Sequence, residues 1–218
     1  MTQPPLKLPD TAPTSHALPD GRLSAPSAER NAAPIFERLA GYMPDRGMVL
    51  ELASGTGQHI AALAGMYPDV VWQPSDASGE RMDSITAWRA HTGADNMRAP
   101  VLLDASKPWP DFPDLRLVYL VNLFHLIPQD DAKAVIRGAP GALVAGGHFF
   151  IYGPFRTDGT FRSEGDAKFH ASLTAQNPLI GYKDLEWIEA EFCAAGLSLV
   201  AVHEMPANNL VIVAQKPA

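Results

Sequence analysis

The sequence predicts an α/β fold: a mostly parallel β-sheet with helices on both faces, ending in an antiparallel C-terminal hairpin. Three observations lead there. Short apolar runs with little alternation recur between amphipathic stretches, as strands buried on both faces of a parallel sheet require. The first of these runs, Val49 to Ala53, passes through a glycine-rich turn into a helical pattern. The last two runs, Leu197 to His203 and Leu210 to Gln215, are joined by Glu-Met-Pro-Ala-Asn-Asn. That connection is too short for a crossover helix, so the two strands should pair antiparallel.

Residues 1–26 contain Pro4, Pro5, Pro9, Pro13, Pro19 and Pro26 and few apolar side chains. Such a composition buries too little surface to offset ordering of the chain. A flexible proline-rich tail is expected there, followed by one domain over 27–218. Ser-Ala-Glu-Arg-Asn from Ser27 precedes a helix whose inner face carries Ile35, Phe36, Leu39 and Met43, ending before Pro44. Val49 to Ala53 is the first strand of the sheet, with a helix from Gln58 to Tyr67. Val70 to Pro74 is the second, with a helix from about Gly79 to His91, and Ala99 to Leu103 is the third. Leu115 to Leu123 is the fourth, followed by a helix from about Asp130 to Leu143, and His148 to Tyr152 is the fifth. A last helix from about Asp184 to Ala195 stops at Gly196, ahead of the hairpin. Trp72, Trp88, Trp109 and Trp187 are expected in the core.

Composition narrows the function classes. The 218 residues carry 24 acidic and 17 basic side chains, a formal charge of −7, which disfavours binding of duplex nucleic acid through a broad basic face. Cys193 is the single cysteine, so neither a disulfide framework nor a cysteine metal cage is available. A reducing, cytoplasmic compartment is expected. No run approaches the roughly 18 apolar residues of a membrane span, and no apolar segment follows a basic start. The oligomeric state is left open.

The turn Glu51-Leu52-Ala53-Ser54-Gly55-Thr56-Gly57-Gln58 suits a nucleotide-like ligand. Its glycines permit positive φ and close approach to the backbone, and the helix start offers free N–H groups. A dinucleotide fingerprint would require glycine or alanine where this chain has Ile60. Asp76 lies 25 positions after Glu51, at the end of the second strand, where an acidic side chain accepts hydrogen bonds from ribose hydroxyls. Asp104 ends the third strand, a position suited to an adenine amine. Carboxylates at successive strand ends converge on one sheet edge, the place where open α/β folds bind ligands.

At the end of the fourth strand, Asn122 and His125 are candidates to orient a substrate or take its proton. His125 reads equally as a buried structural histidine. The seven histidines show no pair at metal-ligand spacing, and no G-x-S-x-G elbow is present. A metal site and a serine hydrolase are therefore not expected.

The turn is similar to the E-x-G-x-G-x-G signature of S-adenosylmethionine sites, with Ala53 in place of the first glycine. Several segments together resemble domain-of-unknown-function family 938 (DUF938), a group of methyltransferase-like proteins. They are Ser27–Asn31, Leu50–His59, Trp72–Asp76, Asn122–His125, Tyr152–Phe155 and Met205–Leu210, spread over about residues 24–216. The resemblance implies a Rossmann-like, seven-stranded class I methyltransferase sheet and S-adenosylmethionine as cofactor. It implies cofactor contacts from Arg30, Asn31, Glu51, Ala53, Ser54, Gly55, Gly57, His59, Asp76, Asp104 and Asn122. Arg30 and Asn31 either fold over the cofactor as a lid or cap the first helix. Tyr152, Phe155 and Arg156 open a long connection, 156–183, rich in aromatic and basic side chains, which is assigned to binding of a small-molecule acceptor. Asn208 and Asn209 are read as turn residues. The expected function is methyl transfer to that acceptor. A non-catalytic binding protein and an NAD-dependent oxidoreductase are the alternatives.

Overall fold

In residues 15–218, which the computed structural model describes, the apolar runs become strands in the predicted order. Strands β1 (His16–Ala17) and β2 (Leu23–Ser24) precede α1 (Pro26–Ala40). β3 (Gly47–Leu52), α2 (Gln58–Met66), β4 (Val70–Asp76), α3 (Gly79–Thr92) and β5 (Val101–Leu102) make the first half of the main sheet. β6 (Leu115–Val121), α4 (Gln129–Ala142), β7 (His148–Arg156), α5 (Glu164–Gln176), β8 (Lys183–Asp184), α6 (Leu185–Ala194), β9 (Ser198–Glu204) and β10 (Asn209–Gln215) complete it. The strand order is β5-β4-β3-β6-β7-β10-β9, with β8 pairing the far end of β7. Neighbours from β5 to β7 are parallel, and β10 runs antiparallel to both β7 and β9. This is the seven-stranded sheet with an antiparallel hairpin that the sequence predicts.

Strand alternation sorts the core into two layers. Leu50 and Leu52 of β3 join the α4 and α6 side, against Val135, Ile136, Ile188 and Phe192. Val49 joins the α1, α2 and α3 side, against Ile35, Ile60, Leu63 and Ile85. Both faces of the sheet are thus covered, which explains why its strands read as continuous apolar runs. Trp72 is fully buried. Trp88, Trp109 and Trp187 are partly buried against the two clusters.

Three elements differ from the expectation. Paired structure begins at residue 16, ahead of the boundary expected at 27, because β1 and β2 dock on α3. The Leu23 N–H donates to Ser84 Oγ at 2.9 Å, the Trp88 indole donates to the Leu23 carbonyl at 2.8 Å, and the Arg22 guanidinium lies 4.4 Å above the Trp88 ring. Tertiary partners supply what the local composition lacks. The part of the expected tail over residues 1–14 lies outside the described residues. β5 is shorter than the expected third strand because Pro74 and Pro100, having no N–H, interrupt the ladder. The Gln73 side chain fills the gap, donating to the carbonyls of Pro74 at 3.0 Å and Ala99 at 2.9 Å.

The connection 156–183 contains a helix that the sequence reading lacks. Ser163 caps α5: its Oγ accepts from the Asp166 N–H at 3.1 Å and donates to Asp166 Oδ2 at 2.7 Å. β7 also runs on to Arg156 and pairs in parallel with Lys183 and Asp184. The segment is therefore a built wall tied to the sheet.

Candidate functional site

The carboxyl end of β3 sets the site. Ala53, Gly55 and Gly57 have φ of 53°, 57° and 90°, so the turn crosses the left-handed region at alternate residues. Glycine adopts that region freely, whereas for Ala53 it costs about 1 kcal/mol or more. A Cβ on Gly57 would lie 3.0 Å from Ile85 Cα, so this glycine also lets the turn press against α3. Asp76 holds the loop. Its Oδ2 accepts from the Gly55 N–H at 2.8 Å and its Oδ1 from the Ser78 N–H at 2.9 Å. The Ser54 N–H donates to the Ser75 carbonyl at 2.8 Å, and the Ser75 N–H donates to Ser54 Oγ at 3.2 Å. Adjacent strand ends thus fix the backbone that a ligand would meet.

Glu51 lies beneath the turn. It is 2% exposed and pairs in register with Tyr119 on β6. Glu51 Oε2 and Tyr119 Oη are both buried, and neither has a hydrogen-bond partner among the described residues. Burial pushes the Glu51 carboxyl from 4.5 up to about 8, the neighbouring Asp76 charge pushes the same way, and the Ser54 and Tyr119 hydroxyls offset only part of this. A buried carboxyl with an orphan oxygen is protonated at neutral pH and becomes an anion cheaply only when a cation arrives.

Asp104 stands where the sequence places it. The Leu103 N–H donates to the Asp76 carbonyl at 2.8 Å, which sets Asp104 beside the end of β4. Its Oδ1 accepts from the Ser106 N–H at 3.0 Å and hydroxyl at 2.7 Å, and the side chain is otherwise exposed.

Across the edge, Asn122 leaves β6 with φ 58°, and its N–H donates to the Tyr152 carbonyl at 2.8 Å. Asparagine tolerates this conformation better than most residues, and it turns the amide toward Gly153. A Cβ on Gly153 would lie 3.8 Å from Asn122 Oδ1 and 3.9 Å from His125 Nδ1. The missing side chain thus brings the amide and the imidazole together. Tyr152 is 3% exposed, with its hydroxyl near the side chains of Asn209 and Asn31.

Four expected site residues are buried or already engaged within the protein. His59 sits behind the turn rather than in the cleft: its Nε2 and Asn31 Oδ1 are 2.9 Å apart and its ring meets Phe36 edge-on at 5.9 Å. Burial lowers it to about 4, so it is a neutral tie between α1 and α2. Phe155 is 2% exposed inside the α4 and α6 core layer and is not a cleft residue. Arg156 is paired with Asp184 at 2.6 Å, since β7 and β8 set the two side by side. His125 is 7% exposed, with Nδ1 unpartnered. Burial and then the nearby Lys183 ammonium lower it to about 3. It is a neutral hydrogen-bonding group and a poor proton acceptor at neutral pH. Arg30 is exposed on α1.

Sequence reasoning missed Tyr119, Asp166, Tyr182 and Lys183. The register that sets Tyr119 against Glu51 is a property of the sheet. The Ser163-x-x-Asp166 spacing is a capping signal that points to α5. Nothing local marks Lys183, whose Nζ donates to the carbonyls of Ile127 at 2.7 Å and Gly181 at 2.9 Å. An open cavity of about 390 Å³ beside Tyr42, Arg116 and His148 lies at the opposite, amino end of the strands.

Sheet order, hairpin and glycine turn define the class I methyltransferase fold. An O-methyltransferase family protein from Burkholderia thailandensis is similar over 85% of this chain and 56% of its own, with 15% identity and a TM-score of 0.71. An O-methyltransferase family 2 protein from Planctomyces limnophilus, solved with apigenin, is similar over 82% of this chain and 56% of its own, with 19% identity and a TM-score of 0.70. The complex of the Haloferax volcanii Trm112 methyltransferase activator and a methyltransferase contains a chain with 16% identity and a TM-score of 0.70, covering 88% of this chain and 92% of that one. The chain spans about half the length, 56%, of the two O-methyltransferases it matches. At such identities the likeness is one of fold. The chain belongs to the family described as "Protein of unknown function (DUF938)", whose model matches residues 22–216.

Proposed function

We propose that this protein binds S-adenosylmethionine at the carboxyl edge of β3, β4 and β5 and transfers its methyl group to a small-molecule acceptor. The observation that carries the reading is the buried, unpartnered Glu51 Oε2 beneath a turn whose backbone is held open in the left-handed region. That deficit suits a ligand bringing positive charge to a backbone cradle. The acidic strand ends suit the rest of the cofactor: Asp76 would accept from ribose hydroxyls and Asp104 from an adenine amine. Ser54, Gly55 and Gly57 offer the close backbone approach. Fully buried Ile60, where a dinucleotide turn needs a small residue, disfavours the oxidoreductase alternative.

When bound, the cofactor supplies a methyl group already activated on a sulfonium. The protein's task is then positioning, which by itself lowers the barrier by several kcal/mol. Asn122 and Tyr152, braced by Asn31, orient the acceptor, and neutral His125 offers it a hydrogen bond. Calorimetric titration with S-adenosylmethionine, S-adenosylhomocysteine and NAD tests the reading. Both sulfur ligands should bind, NAD should not, and Asp76→Ala should abolish binding. If neither sulfur ligand binds, the proposal fails.

A further inference from the structure

Around His125 the wall built by residues 156–183 is aromatic. The Tyr182 ring is its hub, 6.2 Å from His125, 5.8 Å from Phe161, 6.2 Å from Phe169 and 6.0 Å from His170. Phe169 also stands 5.8 Å from His125. Tyr182 is clamped at two points: its hydroxyl donates to Asp166 Oδ1 at 3.1 Å, and its N–H donates to His170 Nδ1 at 3.1 Å. Asp166 is itself held by Ser163 and by Asn208 of the β9–β10 turn at 3.0 Å. Phe161, Phe169 and His170 remain partly exposed. They offer ring faces and edges to a flat partner.

The charge at this wall is specific as well. Lys183 Nζ is held by two carbonyls and, among the described residues, pairs with no carboxylate within 4.0 Å. The other charged groups facing it are already matched or tempering: Arg156 is paired with Asp184, Asp166 is engaged by three donors, and Asp131 of α4 partly offsets the ammonium. The charge of this cation reaches His125, whose Nδ1 is unpartnered, and the Asn122 amide shares the space over Gly153 with that imidazole.

We infer that the acceptor is a planar aromatic molecule methylated on an acidic ring hydroxyl, stacked on the Phe169–Tyr182 wall and ionised in the field of Lys183. This deepens the proposed function and rests on it. The phenol gives its proton to water, and His125 hydrogen-bonds the oxygen without taking the proton. The phenolate lone pair then forms the new carbon–oxygen bond as the methyl–sulfur bond breaks, its electron pair remaining on sulfur. An ammonium about 4–6 Å from the oxygen lowers the hydroxyl's ionisation midpoint by one pH unit or more.

The test uses the full chain saturated with S-adenosylhomocysteine, 4-nitrophenol as probe and 4-nitrobenzyl alcohol as a control that shares the ring but does not ionise. Expected results are saturable binding of 4-nitrophenol and a downward shift of about one pH unit in its absorbance-detected ionisation. The control should bind at least tenfold more weakly. Lys183→Met should return the midpoint toward that of the free dye. Phe169→Ala, at a partly exposed position, should weaken binding about five- to tenfold with the midpoint still shifted. If S-adenosylhomocysteine binds but the dye does not, or binds protonated and no better than the control, the acceptor assignment is overturned and the cofactor reading stands. If S-adenosylhomocysteine itself does not bind, both fall.

Discussion

Replacing Glu51 with glutamine should remove the pH dependence of stability on the alkaline side of neutrality. Glu51 is buried and its carboxyl is pushed from 4.5 to about 8, chiefly by loss of water. The folded protein therefore holds a proton that the unfolded chain has released above pH 4.5. The sign follows: the contribution is fully present below 4.5 and is lost as pH rises to about 8. His59 and His125 are lowered from 6.5 to about 4 and about 3, so their contributions run the other way and are complete by pH 6.5. Lys183, lowered from 10.5 to about 8, acts only above that value. Between pH 6.5 and 8 Glu51 sets the slope. At 1.36 kcal/mol per pH unit the wild-type protein should lose roughly 2 kcal/mol over that interval. With an m-value of about 2 kcal/mol/M, the urea midpoint moves down by about 1 M. Glu51→Gln is nearly isosteric and does not titrate, so its midpoint should stay flat. Tryptophan fluorescence during urea titration at pH 6.5 and pH 8 measures both. Equal slopes in the two proteins would refute the reasoning.

On the acid side His59 and His125 outweigh Glu51 by one proton, and His148 and His170, also lowered by burial, act in the same direction, so stability should fall by at least about 1.4 kcal/mol per unit from pH 6.5 toward 4.5. A urea series across that range should place the stability maximum near pH 6.5. Binding of S-adenosylmethionine at pH 7 should release close to one proton if the cation ionises Glu51, and calorimetry in buffers of different ionisation enthalpy reads it. Glu51→Gln should release none. Gly57→Ala should cost about 2 kcal/mol or more, because its φ of 90° and a Cβ 3.0 Å from Ile85 Cα leave backbone on both sides of the conflict. An unchanged thermal midpoint would contradict that. Trp88→Phe deletes the indole donor to the Leu23 carbonyl and should cost about 1 kcal/mol. It should also speed tryptic cleavage at Arg22, which limited proteolysis detects.

The succession of strands along the chain and the position of the glycine turn were legible in the sequence because they rest on local signals. Apolar runs such as Val49 to Leu52 admit one environment only, buried on both faces, and a six-residue link admits one pairing. The placement of Asp76 and Asp104 at neighbouring strand ends was legible because a strand end is a fixed place in such a sheet. What the tertiary structure alone decided depends on partners distant in sequence. Tyr119 meets Glu51 through parallel register, and burial in the closed sheet, against the partial offset of the Ser54 and Tyr119 hydroxyls, keeps the carboxyl protonated. His59 looked like part of the ligand motif, yet α1 turns its ring to Asn31. Phe155 and Arg156 looked like acceptor residues in a loop, yet extension of β7 along β8 buries the first and pairs the second. The N-terminal residues 16–24 carry few apolar side chains, yet Trp88 and Ser84 supply hydrogen bonds that hold them on α3. Periodicity and turn chemistry are properties of neighbours along the chain, so the sequence carries them. Burial, register and charge balance are properties of neighbours in space, and those arise only once the sheet has closed around Glu51 and His125.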